Sequence, residues 1–331
     1  MSKVFIYNSV LAPYIHELLQ VKESCGHHLL RYQYILKEID NLYIEKGIDN
    51  PCITKSIIEN WRETRINDKP STLYTKYSVW ALLARYISRH GITCFIPQLP
   101  EYSKSKNEFI PYIFTHNQIG QIFTKSNFLR QCNRNKKSGL MCLPAILRLL
   151  YSTGLRISEA VSIQNKSVDF DKKCILITKS KNGAERIVPI NDSLCEVLLQ
   201  YMSYRDKLPI KTVASPDQWL FISPDGSPCT DRSVTWWFRI ILEECQIPYI
   251  GDHCGPRIHD LRHTFAVHSM MQMARAGIDL YTSLPIISTC LGHKSLSATE
   301  KYVRLTSEMF PDIISECSEM QSILFPKIPT T

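Results

Sequence analysis

The side chains best suited to chemistry stand in four short stretches and one turn. In His259-Asp260-Leu261-Arg262 an imidazole and a guanidinium are three positions apart, which puts both on one side of a helix. Imidazole handles protons near neutral pH, and the planar fork of arginine can hold two phosphate oxygens while staying charged. Arg156 follows Thr153-Gly154-Leu155, where a turn gives way to a new helix whose first amides would add to an anion site. Glu159, three residues on, either orients Arg156 or pairs with it as an ordinary structural ion pair. His293 comes just after Leu291-Gly292, and Tyr302 stands nine residues after His293. Lys179 and Lys181 lie in a turn further upstream. Taken singly these signals are weak. A His-x-x-Arg pair also suits a mixed-charge surface helix, and a lone tyrosine is most often a core or surface aromatic. Together they offer what transfer of a phosphoryl group requires: fixed positive charge, proton acceptors and donors, and a hydroxyl nucleophile, held in position.

The elements that must carry these groups are legible from periodicity. Residues 28–46 place Tyr32, Ile35, Leu36, Ile39, Leu42 and Tyr43 at helical spacing, with Gly47 at the stop. A shorter helix is predicted over 53–64 around Ile57, Ile58 and Trp61. Another over 71–90 lines up Leu73, Tyr77, Trp80, Ala84 and Ile87 before Gly91. Arg85 and Arg89 share a different face of that helix, as a solvated surface or as phosphate contacts. Residues 101–110 read as a linker, polar and flanked by Pro97, Pro100 and Pro111. Thr115-His116-Asn117-Gln118 is a capping-box pattern that opens a second domain. In that domain Leu143 to Leu150 is an apolar helix broken at Thr153-Gly154. Two short strands, residues 174–178 and 186–190, flank a turn containing Asn182-Gly183. Residues 193–206, 230–245 and 258–275 are predicted helical, and Gly292 allows a tight turn before a further helix.

Composition sets outer limits. With 331 residues, 44% hydrophobic and 21% charged, the chain has the profile of an ordinary two-domain globular protein. Its net charge of +8 suits a polyanion partner without establishing one. Twelve cysteines are scattered with no Cys-x-x-Cys pair, so they are expected to be reduced thiols rather than zinc ligands. No apolar run approaches membrane-spanning length and the N-terminus lacks a signal-peptide core, so a cytoplasmic protein is expected.

Arg156 with Glu159 in a Thr-Gly-Leu-Arg-x-x-Glu setting, a hairpin lysine, His259-x-x-Arg262, Leu291-Gly292-His293, and Tyr302 nine residues later resemble, in this order, the tyrosine recombinase family, also called phage integrases. The motifs span roughly residues 150–305, and Phe109-Ile110-Pro111-Tyr112 resembles the family's lead into its catalytic domain. The resemblance implies a helical N-terminal core-binding (SAM-like) domain over 1–100 and a linker over 101–110. A mixed α+β catalytic domain, mainly helical with a small antiparallel sheet, would cover 111–331. The two domains would close around duplex DNA.

The resemblance also implies that Tyr302 attacks the scissile phosphate and forms a 3′-phosphotyrosyl link. Arg156 and Arg262 would bind its oxygens, His259 would take the tyrosine proton, Lys181 would protonate the leaving 5′-oxygen, and His293 would hydrogen-bond the phosphate. The family's hairpin lysine stands eight residues before the proline of the second strand, so Pro189 selects Lys181 over Lys179. No metal or other cofactor is implied. The expected partners are double-stranded DNA sites and three further copies of the chain, with strand exchange through a Holliday junction. The apolar tail with Phe310, Ile313, Ile314, Met320, Ile323 and Leu324 would dock on a neighbouring protomer or pack on its own domain. Arg262 and His293 are 31 residues apart, about two helical turns more than is usual in the family. The extra material falls between Met270 and Pro285, as in some recombinases of transposons and phages. The alternatives are a type I tyrosine topoisomerase and a non-catalytic DNA-binding regulator.

Overall fold

A computed structural model describes residues 5–27, 29–101, 111–130, 136–178, 185–249 and 255–310. The chain divides into two compact units, Met1–Phe109 and Ile110–Thr331.

The first unit is helical: α1 (Ala12–Ser24), α2 (Leu30–Glu45), α3 (Lys55–Glu63) and α4 (Pro70–Arg89). Local chemistry marks several of their ends. Thr54 caps α3 by accepting from the Ile57 amide, and a proline with no amide hydrogen to lose opens α4. Gly47 and Gly91 take positive φ just beyond α2 and α4. The apolar stripes meet in a core of Leu36, Ile39, Tyr43, Trp61, Trp80 and Ile87. Trp61 and Trp80 pack edge to face with ring centres 5.7 Å apart. Burying each such side chain contributes on the order of 2 kcal/mol. Arg85 and Arg89 are exposed on the opposite side of α4.

The second unit is built around α6 (Leu143–Thr153), which buries Leu143, Ile146, Leu147, Leu149 and Leu150 on several faces and so lies inside the unit rather than on it. Around it pack α5 (His116–Phe128), α8 (Asp192–Arg205) and α10 (Asp260–Arg275). The expected capping box opens α5: Thr115 and Gln118 each accept from the other's backbone amide. The sheet is small and antiparallel, in the order β1 (Val168–Asp169), β2 (Cys174–Ile177) and β3 (Arg186–Pro189). Ile177 pairs with Arg186 and Cys174 with Pro189. The segment between β2 and β3 in which a turn is expected, with Lys179 and Lys181, lies outside the described residues.

Helices α9 (Asp231–Glu244), α11 (Leu280–Leu291) and α12 (Ser297–Met309) complete the unit, with the short α7 (Ile157–Ala160) beside α6. A second apolar cluster joins Val267 and Met270 of α10 to Leu284 and Leu291 of α11 and to Tyr302 and Leu305 of α12. The material between Arg262 and His293 is thus the rest of α10, a turn through Gly277, and α11. The apolar tail beyond Phe310 lies outside the described residues. Among the described residues no helix is long and apolar enough to cross a membrane.

Candidate active site

Arg156 is set by the way α6 ends. Gly154 adopts φ +64°, and a Cβ there would come within 2.4 Å of Phe265 and 2.8 Å of Leu291. Only glycine allows both that backbone and that approach. The chain turns at once into α7, with Arg156 at its cap. Glu159 reaches back to the Arg156 amide (3.0 Å) and accepts from its Nη1 (2.9 Å). Glu159 itself is almost fully buried, and the arginine keeps a partly open face.

His259 and Arg262 come from the first turn of α10. Asp260, fully buried, accepts from the Arg257 amide at 2.7 Å and fixes the start of the helix. Arg262 is 2% exposed and donates to two main-chain carbonyls, Gly154 O and Leu291 O, each at 2.7 Å. It therefore ties the end of α6 to the end of α11. Among the described residues no carboxylate lies within ion-pair distance of it. Burial and then Arg156 push the Arg262 guanidinium down to about 10, while Glu159 holds it up.

His293 follows a glycine cap on α11. Gly292 has φ +65°, and its amide and that of His293 return to Thr289 O and Ser288 O. The Nδ1 of His293 lies 2.8 Å from the buried Thr299 hydroxyl of α12. Its ring is nearly parallel to that of Tyr302, with centres 6.4 Å apart. Tyr302 itself is 1% exposed. Its hydroxyl meets Nδ1 of His263 at 2.7 Å.

The electrostatics follow from the geometry. Arg156 and Arg186 pair with one buried carboxylate, Glu159, which acts on Arg262 only at longer range. Partial burial and the charges of Arg262, Arg156, Arg257 and Lys301 pull His259 down to about 4. The same kind of surroundings bring His293 to about 4 and the deeply buried His263 to about 2. All three imidazoles are neutral at pH 7. Burial pushes the Tyr302 phenol up to about 12 against the pull of Arg262 and Arg156.

The arrangement has the donors of an anion site around a covered hydroxyl. The phage integrase family model matches residues 113–309, more than half of the chain.

The chain belongs to the phage integrase family.

Over most of its length it is similar to the tyrosine recombinase XerC of Staphylococcus saprophyticus, 26% identical over 307 residues that cover 89% of this chain and 92% of that one. It is also similar to XerC of Thermodesulfovibrio yellowstonii, 28% identical over 299 residues, 88% and 90% of the two chains. Its fold is shared with a solved structure of the XerH site-specific recombinase bound to palindromic difH substrate in a post-cleavage complex. That likeness has a TM-score of 0.63 at 18% identity and covers 91% of this chain and 84% of the other.

In this phage integrase chain the described structure gathers Arg156, Glu159, His259, Arg262, His293 and Tyr302 into one region of the second unit. Lys181 is outside the described residues, and Arg85 and Arg89 belong to the first unit. Two neighbours were not anticipated. His263, rather than His259, touches the Tyr302 hydroxyl, and Arg186 shares Glu159 with Arg156. Both had a signal. His263 is four residues from His259, hence on the same face of α10. Arg186 alternates with exposed Ile187 and buried Val188, so it points inward from its strand, where a charge needs a partner.

Proposed function

We propose that this tyrosine site-specific recombinase cuts DNA by attack of the Tyr302 hydroxyl on the scissile phosphorus. The Oη–P bond forms as the P–O5′ bond breaks, leaving a 3′-phosphotyrosyl link and a free 5′-hydroxyl. Arg156 and Arg262 take the non-bridging oxygens, and His293 adds a hydrogen bond. His259 accepts the phenol proton and Lys181 returns one to the 5′-oxygen. One phosphodiester is exchanged for another, so rejoining needs no further energy source.

The observation that carries this reading is the charge surplus beside a phenol: Arg156, Arg186 and Arg262 gather around the single carboxylate of Glu159, and the Tyr302 hydroxyl lies in the field of Arg262 and Arg156, opposed by Asp260. Such a cluster favours an added anion and stabilises the negative charge that develops at phosphorus. A neutral His259 suits a proton acceptor. The hydroxyl is parked on His263 and covered, so engagement of DNA has to free it before attack.

Strand exchange would join two duplexes and four protomers through a Holliday junction in the cytoplasm. The first unit would act as the core-binding domain, with Arg85 and Arg89 against phosphates, and the second would close on the duplex with it.

The test is covalent trapping. Nicked duplexes drawn from the DNA flanking the gene are incubated with the full chain and run under denaturing conditions. The wild-type chain is expected to form a protein–DNA adduct on its own site, and Tyr302→Phe none. Efficient relaxation of plasmid that lacks any such site would favour a topoisomerase instead.

A further inference from the structure

Arg186 lies at the first position of β3, and its side chain reaches partners far away in sequence. Its Nη2 and Nη1 reach the two oxygens of Glu159 at 2.7 and 3.2 Å, and its Nε reaches Cys290 O at 3.1 Å. The side chain is 10% exposed. It also lies flush against Gly292, where an added Cβ would come within 2.9 Å of Nη1. One planar group thus joins β3, α7 and the last turn of α11.

We propose that Arg186 is a positioning residue for strand cleavage, holding Arg156 through Glu159 and His293 through the end of α11. The inference rests on the assignment of Arg156 and His293 to the scissile phosphate.

Two features give it physical content. Glu159 receives the Arg156 amide and guanidinium on one side and the Arg186 fork on the other, so neither arginine has the carboxylate to itself. Arg156 is thereby oriented while part of its charge stays available to an anion. At the other end, Cys290 O and Leu291 O are consecutive carbonyls at a helix C-terminus, where the chain's own amides give out. Arg186 takes the first and Arg262 the second. That pair of bonds sets the pitch of the Gly292 turn, and hence where the His293 ring stands. Lysine keeps the charge but cannot make the fork and the third bond together.

The test compares Arg186→Lys, Glu159→Gln and the double variant in full-length protein, on a nicked duplex selected with the wild-type chain from gene-flanking DNA. Single-turnover strand cleavage is measured on the natural phosphodiester and on a duplex whose scissile phosphate is a methylphosphonate. That group has lost its negative charge and depends less on the arginine clamp. Arg186→Lys is expected to cleave the phosphodiester about 10- to 100-fold more slowly than wild type, the scale of a misplaced clamp. The deficit should shrink severalfold on the methylphosphonate, and the double variant should lose clearly less than the product of the two single losses, because both single changes break the Glu159 link while the Cys290 link belongs to Arg186 alone. Wild-type rates in Arg186→Lys would overturn the proposal. So would an equal deficit on both substrates, which is the signature of a merely structural residue, or losses that multiply in the double variant. Rates are scored on strand cleavage itself, so cleavage retained by Tyr302→Phe would unseat the nucleophile and still leave the Arg186 comparison readable.

Discussion

Arg205 and Arg262 lie in the same unit, both sealed from solvent, and their charges are treated in opposite ways. Arg205, at the end of α8, has Asp206 beside it: Nε and Nη2 each lie 2.8 Å from Oδ1. Its Nη1 donates to Asn165 Oδ1 and Leu220 O, fastening α8 to two loops. Arg262 donates only to carbonyl oxygens and has Arg156 and Arg186 in its field, with one carboxylate among the three. Burying a charge is costly unless it is paired. The Arg205 region carries its own counter-ion and serves the fold. The Arg262 region is left short of negative charge, a condition that an incoming phosphate would relieve.

The contrast is sharpest in activity. Arg262→Met should slow single-turnover cleavage by about a thousandfold, the effect of deleting a group that stabilises a developing oxyanion. Its melting temperature should fall less than that of Arg205→Met, because relief of like-charge repulsion offsets the loss of the donors to Gly154 O and Leu291 O. A comparable fall in both cleavage and stability would erase the distinction between the two regions. Arg205→Met should do the reverse and lose about 2–4 kcal/mol in urea unfolding, as Asn165 Oδ1 and Leu220 O lose their donor. Its cleavage per folded molecule should stay near wild type.

Acid probes the same asymmetry. His259, His263 and His293 are all lowered from 6.5, as is His268, which burial and then His116 bring to about 4. Below about pH 6.5 the unfolded chain therefore takes up protons that the folded chain refuses. Their contribution to stability is complete above pH 6.5 and is lost as the pH falls toward 4. Thermal melts from pH 7.5 to 4.5 should show a steady decline. Inorganic pyrophosphate at pH 7.5 should raise the wild-type melting temperature by a few degrees and leave Arg262→Met unmoved, since only a bound anion stabilises. The smallest effect belongs to a control outside both regions. Thr115→Ala removes one half of the α5 capping box and should cost about 1 kcal/mol in urea unfolding, with cleavage by the folded fraction unchanged.

Much of the second unit could be read along the chain because its candidate site sits beside strong local signals. Gly154 precedes Arg156, Gly292 precedes His293, and Thr115 opens α5, each setting its backbone through near neighbours. The strands β2 and β3 and the helices over 28–46, 71–90 and 258–275 followed from periodicity for the same reason. What stayed hidden was set by distance. Arg186 meets Glu159 across 27 residues and Cys290 across 104, and His263 meets Tyr302 across 39. No window of sequence contains both partners. The parked state of Tyr302 was hidden too: its spacing from His293 marks it as a candidate nucleophile, but only the packing of α12 on α10 shows its hydroxyl covered and bonded to His263.

Under the proposed mechanism, the phenol beneath the unbalanced arginines is the group that becomes joined to DNA. Mass spectrometry of the trapped adduct, after digestion of protein and nuclease trimming of DNA, locates the linkage. The expected result is a nucleotide 3′-phosphate on the peptide that contains Tyr302. A phosphoryl link on any other side chain would contradict it.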